Sequence, residues 1–294
     1  MSPYRTTARL LCVLLILVGA ALAAMSCGGG SEPAVAVPSA AANRHRAPLG
    51  GPIEMTYRFQ VAPDAKIDGN YRVMVHFVDS DDEVMWTDDH DPATPSSQWK
   101  PGQTIQYSRT LFIPVYPYLG QATIQMGLYD PKNQQRLTLG GRDNGQKAYA
   151  VATIELLPQS EGVFLVYGDG WHDQEVAQGN SLEEWRWTKR EARVSFRNPQ
   201  RDLIVYLDAD GRTDVFDPPQ QVSVRVGDQV VDSFPIQDAS RFLHKSRVSA
   251  SALGTGEMVE LTIAADRAFI PAEHGGSDRR ELGIRVFHLF VEPQ

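Results

Sequence analysis

Apolar and polar residues alternate with a period of two through most of this chain. Met55, Tyr57, Phe59 and Val61 stand at every second position with polar or charged neighbours between them, and in an extended backbone that spacing puts all four side chains on one face. The same signal, rich in β-branched and aromatic residues, returns over residues 71–78, 83–87, 105–113, 122–129 and 149–157. Turn formers interrupt it: Asp79 to Asp82 separate two of the runs, and Pro114, Pro117 and Gly120 separate two others. A second series follows over residues 163–167, 182–187, 192–196, 203–208, 221–226, 229–234, 258–264 and 282–291. Between two of these runs stand Gly227 and Asp228, which predict a two-residue hairpin turn because glycine at its first central position takes positive φ freely.

No window sustains an amphipathic helix of ten residues, and only 249–253 looks briefly helical. There is no clear internal repeat. Many short strands at close spacing predict an all-β chain of two tandem β-sandwiches, immunoglobulin-like or jelly-roll in type. The polar, turn-rich stretch from Pro158 to Gly162 divides a first domain, 52–158, from a second, 163–294.

The amino-terminal end follows another rule. Arg5 and Arg9 precede an almost unbroken apolar run over residues 10–24, then Ala24, Met25, Ser26 and Cys27. As a helix that run reaches about 22 Å at ~1.5 Å per residue, short of a ~30 Å hydrocarbon core, so it suits an export signal better than a permanent span. The small residues before Cys27 resemble the lipobox of bacterial lipoproteins. That resemblance implies removal of residues 1–26 and acylation of Cys27, with palmitate-like chains fixing the new terminus to a bilayer. Competing readings are cleavage near Ala21, Ala23 and Ala24 with Cys27 as an ordinary thiol, or an uncleaved anchor. The only other cysteine, Cys12, lies within the apolar run, so a mature chain would hold no disulfide. Residues 27–51 are rich in Gly, Ala, Ser and Pro and poor in bulky apolar groups. They predict a flexible tether of roughly 27 Å end to end. The expected place is the cell envelope, at the outer membrane or cell surface in a two-membraned cell.

The formal charge of −8 becomes more negative once Arg5 and Arg9 are removed. Polyanions are bound by clustered Lys and Arg, so nucleic acid is excluded as a partner.

Two groups of motifs carry a further resemblance. Val75-His76-Phe77, Trp99-Lys100-Pro101-Gly102, Tyr116-Pro117-Tyr118-Leu119-Gly120 and Met126-Gly127-Leu128-Tyr129-Asp130, with Arg136-Leu137, resemble a β-sandwich module at the soluble ends of bacterial membrane glycosyltransferases. Gly170-Trp171-His172 with Glu175, Arg186-Trp187-Thr188, Phe269-Ile270-Pro271 and the run from Ser277 to Gly283 resemble a second module found with polysaccharide-assembly proteins. The resemblance implies a pair of modules akin to carbohydrate-binding domains, associated with envelope polysaccharide. The catalytic membrane region of those enzymes has no counterpart in the sequence, so no transferase activity is expected.

Candidate chemistry is correspondingly modest. Trp171, Trp185 and Trp187 can form a sugar-stacking face or fill a core, since large aromatics bury roughly 150–250 Å² each; Trp86 and Trp99 face the same choice. Tyr116 and Tyr118, held among prolines, are the expected exposed aromatics of the first domain. Arg279 and Arg280 can clamp a carboxylate with a planar fork, from a uronic-acid ligand or from an internal acid such as Glu175 or Asp278. The acids Asp79, Asp81, Asp82, Asp88, Asp89 and Asp91, beside His90, match no calcium-loop spacing and are expected to be solvated turn residues. His172, His274 and His288 have no nucleophile context and there is no Gly-x-Ser-x-Gly elbow. No catalytic residue, metal site or cofactor is expected. The sequence thus points to a non-catalytic envelope lipoprotein that binds or organises polysaccharide. A scaffold for a protein partner of the envelope machinery is the alternative, and a paired-carboxylate glycan hydrolase a residual one.

Overall fold

The computed structural model describes residues 32–294, so the expected signal segment and the lipidation candidate Cys27 lie outside the described residues. The chain is all-β, arranged as two tandem sandwiches. The first is built from β1 (Ala36–Ala42), β2 (Arg46–Pro48), β3 (Pro52–Val61), β4 (Arg72–Val78), β5 (Val84–Thr87), β6 (Thr104–Phe112), β7 (Gly120–Tyr129) and β8 (Tyr149–Leu157). One sheet has the order β1-β3-β6 and the other β2-β8-β7-β4-β5. The alternation in β3 does what its spacing predicts: Met55, Tyr57, Phe59 and Val61 are all buried, against Val73, Val75 and Phe77 of β4 and Ile124, Met126 and Leu128 of β7. Trp86 stacks on Phe77 at 4.5 Å and Trp99 packs on Phe59 at 5.0 Å, so both tryptophans belong to this core.

Within the described part of the expected flexible tether over 27–51, Ala36–Ala42 and Arg46–Pro48 are instead strands β1 and β2. All seven residues of β1 pair antiparallel with β3, from Ala36 opposite Val61 to Ala42 opposite Met55, and Ala47 and Leu49 are buried. Composition misleads here because alanine is small rather than polar, and fits where the sheet meets its neighbour closely. Pro38 is tolerated because β1 is an edge strand of its sheet, where a missing N–H breaks no interior ladder.

The second sandwich comprises β9 (Val166–Tyr167), β10 (Glu175–Ala177), β11 (Asn180–Trp187), β12 (Glu191–Arg197), β13 (Leu203–Asp210), β14 (Gln221–Val226), β15 (Gln229–Pro235), β16 (Phe242–Val248), the single turn of helix α1 (Ala250–Leu253), β17 (Met258–Ala265) and β18 (Arg285–Pro293). Its sheets run β10-β11-β18-β13-β16 and β15-β14-β17-β12-β9. Gly227 turns the β14–β15 hairpin at φ +55°, and Ser249 caps α1 by accepting the Ala252 N–H. The last strand begins at Arg285 rather than Leu282, because Leu282 is drawn into a bridge with Phe269. β10 and β16 have no counterpart in the alternation. β16 reads Phe-Leu-His-Lys-Ser-Arg-Val, too polar to announce itself, and is held as an edge by seven-residue pairing with β13.

The sandwiches meet through the outward face of β13, β16 and β18. Phe112, at the end of β6, stacks face to face on the His288 imidazole, with centroids 4.3 Å apart, and meets Tyr206 edge-on. Lys245 reaches Glu54 at 3.3 Å. Arg44 pairs with Glu292, which also accepts the Tyr206 hydroxyl at 2.6 Å.

Candidate functional site

The site grows from one face of the sheet that carries β11, β18 and β13. Asp208 and Asp210 lie two apart on β13 and point away from the core, yet each carboxylate side chain is only 8% exposed. They are covered by arginines from neighbouring strands and loops. Arg241 grips Asp208 with two nitrogens and Arg285 grips Asp210 the same way. Burial alone would raise the Asp208 carboxyl, but the Arg241 and His288 donors outweigh it and hold it below the usual range. In turn, Asp210 raises the Arg285 guanidinium.

These clamped guanidinium groups lie against aromatic rings. Arg285 sits 5.1 Å from the Trp185 ring centre, 5.8 Å from that of Trp187 and 5.0 Å from that of Phe287, and Arg241 lies 4.1 Å from Phe287. Trp185 and Trp187 are two apart on β11, so strand geometry delivers both to this face. Rings and guanidiniums alternate across the sheet, each cation lying against a ring face and paired with a carboxylate.

Between this face and the first sandwich opens a cleft of ≈ 680 Å³. Trp185 and Phe287 line it on the second sandwich's sheet, Phe112 and Val115 come from the first sandwich, and Tyr167 and Trp171 line it as well. Trp171 is seated by its predecessor. Gly170 adopts φ +88°, and a Cβ there would fall 1.8 Å from the Glu191 carbonyl oxygen, so only glycine lets the chain cross β12 so closely. The Trp171 indole N–H then donates to the Arg193 carbonyl at 2.8 Å, and the ring meets Tyr167 edge-on at 5.0 Å. Arg186 lies 5.1 Å from the Tyr167 ring centre and donates to the Gln174 side chain at 3.0 Å. Gln174 also donates to Glu184.

The sequence-derived candidates therefore separate. Trp171 and Trp185 share the cleft. Trp187 lies on the same sheet face but packs edge-on to Phe269 at 6.1 Å. Tyr116 and Tyr118 are half-buried against the first core, and Tyr118 donates its hydroxyl to the Gln121 carbonyl. Arg280 binds Asp278 and, at 2.7 Å, Glu175, so the internal pairing read from the sequence is formed. Arg279 is exposed. Sequence reasoning missed Tyr167, Phe287, Arg241 and Phe112. Phe287 had a signal, since Arg285 and Phe287 alternate with the buried Val286; Phe112 had none, because only the docking of two domains brings it there.

The acid-rich stretch of the first sandwich also divides. Asp79 behaves as a turn acid, accepting the Asp81 and Glu83 N–H groups. Asp88 does not. It accepts from the Tyr57 hydroxyl at 3.0 Å and from Arg109 at 2.9 and 3.1 Å, with His90 3.3 Å away. Burial pushes the Asp88 carboxyl up, and the His90 and Arg109 donors bring it below the ordinary value. The expectation of a solvated acid fails there because the cross-sheet partners Tyr57 and Arg109 are far away in sequence.

Fold and site together define an all-β, two-sandwich protein with an aromatic cleft where the sandwiches meet. No protein family and no curated protein matches the chain in sequence. Among solved structures the chain is matched, weakly, to the CBM51-2 and INT domains of Clostridium perfringens ZmpB, at a TM-score of 0.27 and 9% identity over 61% of this chain and 38% of that one. It is also similar to Bacteroides uniformis beta-glucuronidase, at 0.28 and 11% identity over 88% of this chain and 30% of that one. For Salmonella alpha-2-macroglobulin reacted with methylamine the values are 0.27 and 11%, over 89% and 15%. The chain spans well under half the length of each of these, and likeness at this level carries no argument about fold or function.

Proposed function

We propose that this protein is a non-catalytic, exported glycan-binding protein, held at a membrane of the cell envelope by acyl chains on Cys27, and that polysaccharide lies in the cleft between its sandwiches. The observation that supports binding is the grouping of Tyr167, Trp171, Trp185 and Phe287 around one open cleft. Ring faces attract the polarised C–H groups of a pyranose, and flanking polar side chains supply hydrogen bonds to its hydroxyls. The export reading rests on the charged, apolar and small-residue order that precedes Cys27.

Affinity electrophoresis through gels carrying neutral, amino and acidic polysaccharides tests the first part. Retardation is expected, and Tyr167→Ala weakens it about fivefold to tenfold, the loss of one ring contact worth about 1 kcal/mol. Tyr167 is the ring to remove because it is 41% exposed and its loss leaves the core intact. Free migration in every gel, with capture of an envelope protein instead, would favour the scaffold alternative. Detergent-phase partitioning tests the anchor: the protein enters the detergent phase and Cys27→Ser stays in the aqueous phase.

A further inference from the structure

We infer that the cleft selects neutral or amino sugars and rejects uronic-acid polymers, an inference that rests on the glycan-binding reading above. Recognition of a sugar carboxylate calls for a guanidinium fork or an ammonium free to meet it. The arginines around this cleft are committed elsewhere. Arg241 is closed onto Asp208 and Arg285 onto Asp210, each through two nitrogens. Arg186 donates to Gln174 and to the His172 carbonyl while lying over the Tyr167 ring. Arg280 is held by Asp278 and Glu175 and does not line the cleft.

The acceptors are in the opposite condition. Glu183 and Glu184 both line the cleft. Glu184 takes the Gln174 amide and, through it, faces Arg186. Glu183 stands on the same strand face as Trp185 and has no hydrogen-bond or ion-pair partner among the described residues. A carboxylate beside an aromatic ring accepts from two neighbouring sugar hydroxyls, or from the ammonium of an amino sugar. A uronate carboxylate placed there meets the like charge of Glu183 and Glu184, while the guanidinium that faces Glu183, that of Arg285, is already closed onto Asp210. The chain's formal charge of −8 adds a long-range field of the same sign.

The test uses the full-length protein in detergent, titrated calorimetrically with a neutral glucan oligosaccharide, a chitosan oligosaccharide and oligogalacturonate, for wild type and Glu183→Gln. Wild type is expected to bind the glucan and the chitosan oligomer, the latter at least fivefold more tightly at low salt than at high salt, and to give no heat with oligogalacturonate. Glu183→Gln keeps its melting temperature and loses at least fivefold in chitosan affinity. Oligogalacturonate binding as tight as the glucan, or an unchanged chitosan affinity in Glu183→Gln, overturns the selectivity and leaves glycan binding standing. Absence of binding to all three oligomers by wild type removes the glycan reading, and this inference with it.

Discussion

Asp208 and Asp210 show how much one residue's cost depends on its neighbour. Each would be a poor choice for a nearly buried position if unpaired, because an isolated carboxylate out of water costs several kcal/mol. Arg285→Ala therefore does more than remove a cation. It strands Asp210 and strips the layer between Trp185 and Phe287. The expected loss is about 2–3 kcal/mol, at the low end for breaking a buried pair because Arg285 is itself about one-third exposed. Urea unfolding followed by tryptophan fluorescence measures it. Arg279→Ala, at an exposed position, changes stability by less than about 0.5 kcal/mol in the same assay.

The depressed carboxyls also set the acid limit. Asp88 and Asp208 have folded pKa values below their unfolded ones. Their contribution is thus fully present above the ordinary aspartate value near ~3.9 and is lost as pH falls through the lower folded values. Arg241→Ala removes the donor that holds Asp208 down, so the onset of acid unfolding moves to higher pH. A circular-dichroism titration between neutral pH and pH 2 reads the shift, and an unmoved midpoint would count against this account.

At the scale of elements, the alternation was legible wherever strand faces differ in bulk. β3 shows it most clearly, with four buried large or branched residues separated by polar ones. β1 and β16 were not legible, for opposite reasons. Apart from the exposed Val37, β1 is made of alanine, proline and serine, whose burial depends on the closeness of the partner rather than on their own hydrophobicity. β16 has a polar centre, His244 to Arg247, between Phe242-Leu243 and Val248, so it shows no sustained alternation and its place comes from the ladder to β13. The loop between β9 and β10 depends on one backbone conformation. Gly170→Ala adds a Cβ where the Glu191 carbonyl already stands, at a φ that side chains rarely adopt, so a loss above about 1 kcal/mol is expected. Displacement of Trp171 from its bond to Arg193 accompanies it and is read as a shift in near-ultraviolet circular dichroism.

For the whole molecule, the cleft exists only because two sandwiches dock. Phe112 is the pivot: one ring lies flat on His288 and edge-on to Tyr206, next to the Lys245–Glu54 and Arg44–Glu292 pairs. Phe112→Ala is expected to leave each sandwich folded while loosening their contact. Small-angle scattering then shows a larger radius of gyration, and affinity in the cleft falls together with it. An unchanged scattering profile would mean that the flanking ion pairs hold the domains without the ring.

Local geometry explains what the amino-acid order determined without help. Side chains on an extended backbone alternate whatever their partner, so most of the strands, their inward residues and the all-β class follow from spacing alone. The order of charged, apolar and small residues before Cys27 carries the expectation of export in the same local way. Pairing is a different matter. Asp210 and Arg285 are 75 residues apart and meet only because β18 lies between β11 and β13. Phe112 reaches His288 across the meeting of two domains. Which outward residues are sealed into ion pairs, and which are left facing a cleft, was decided by strand order and docking, because those contacts are non-local and no period along the chain encodes them.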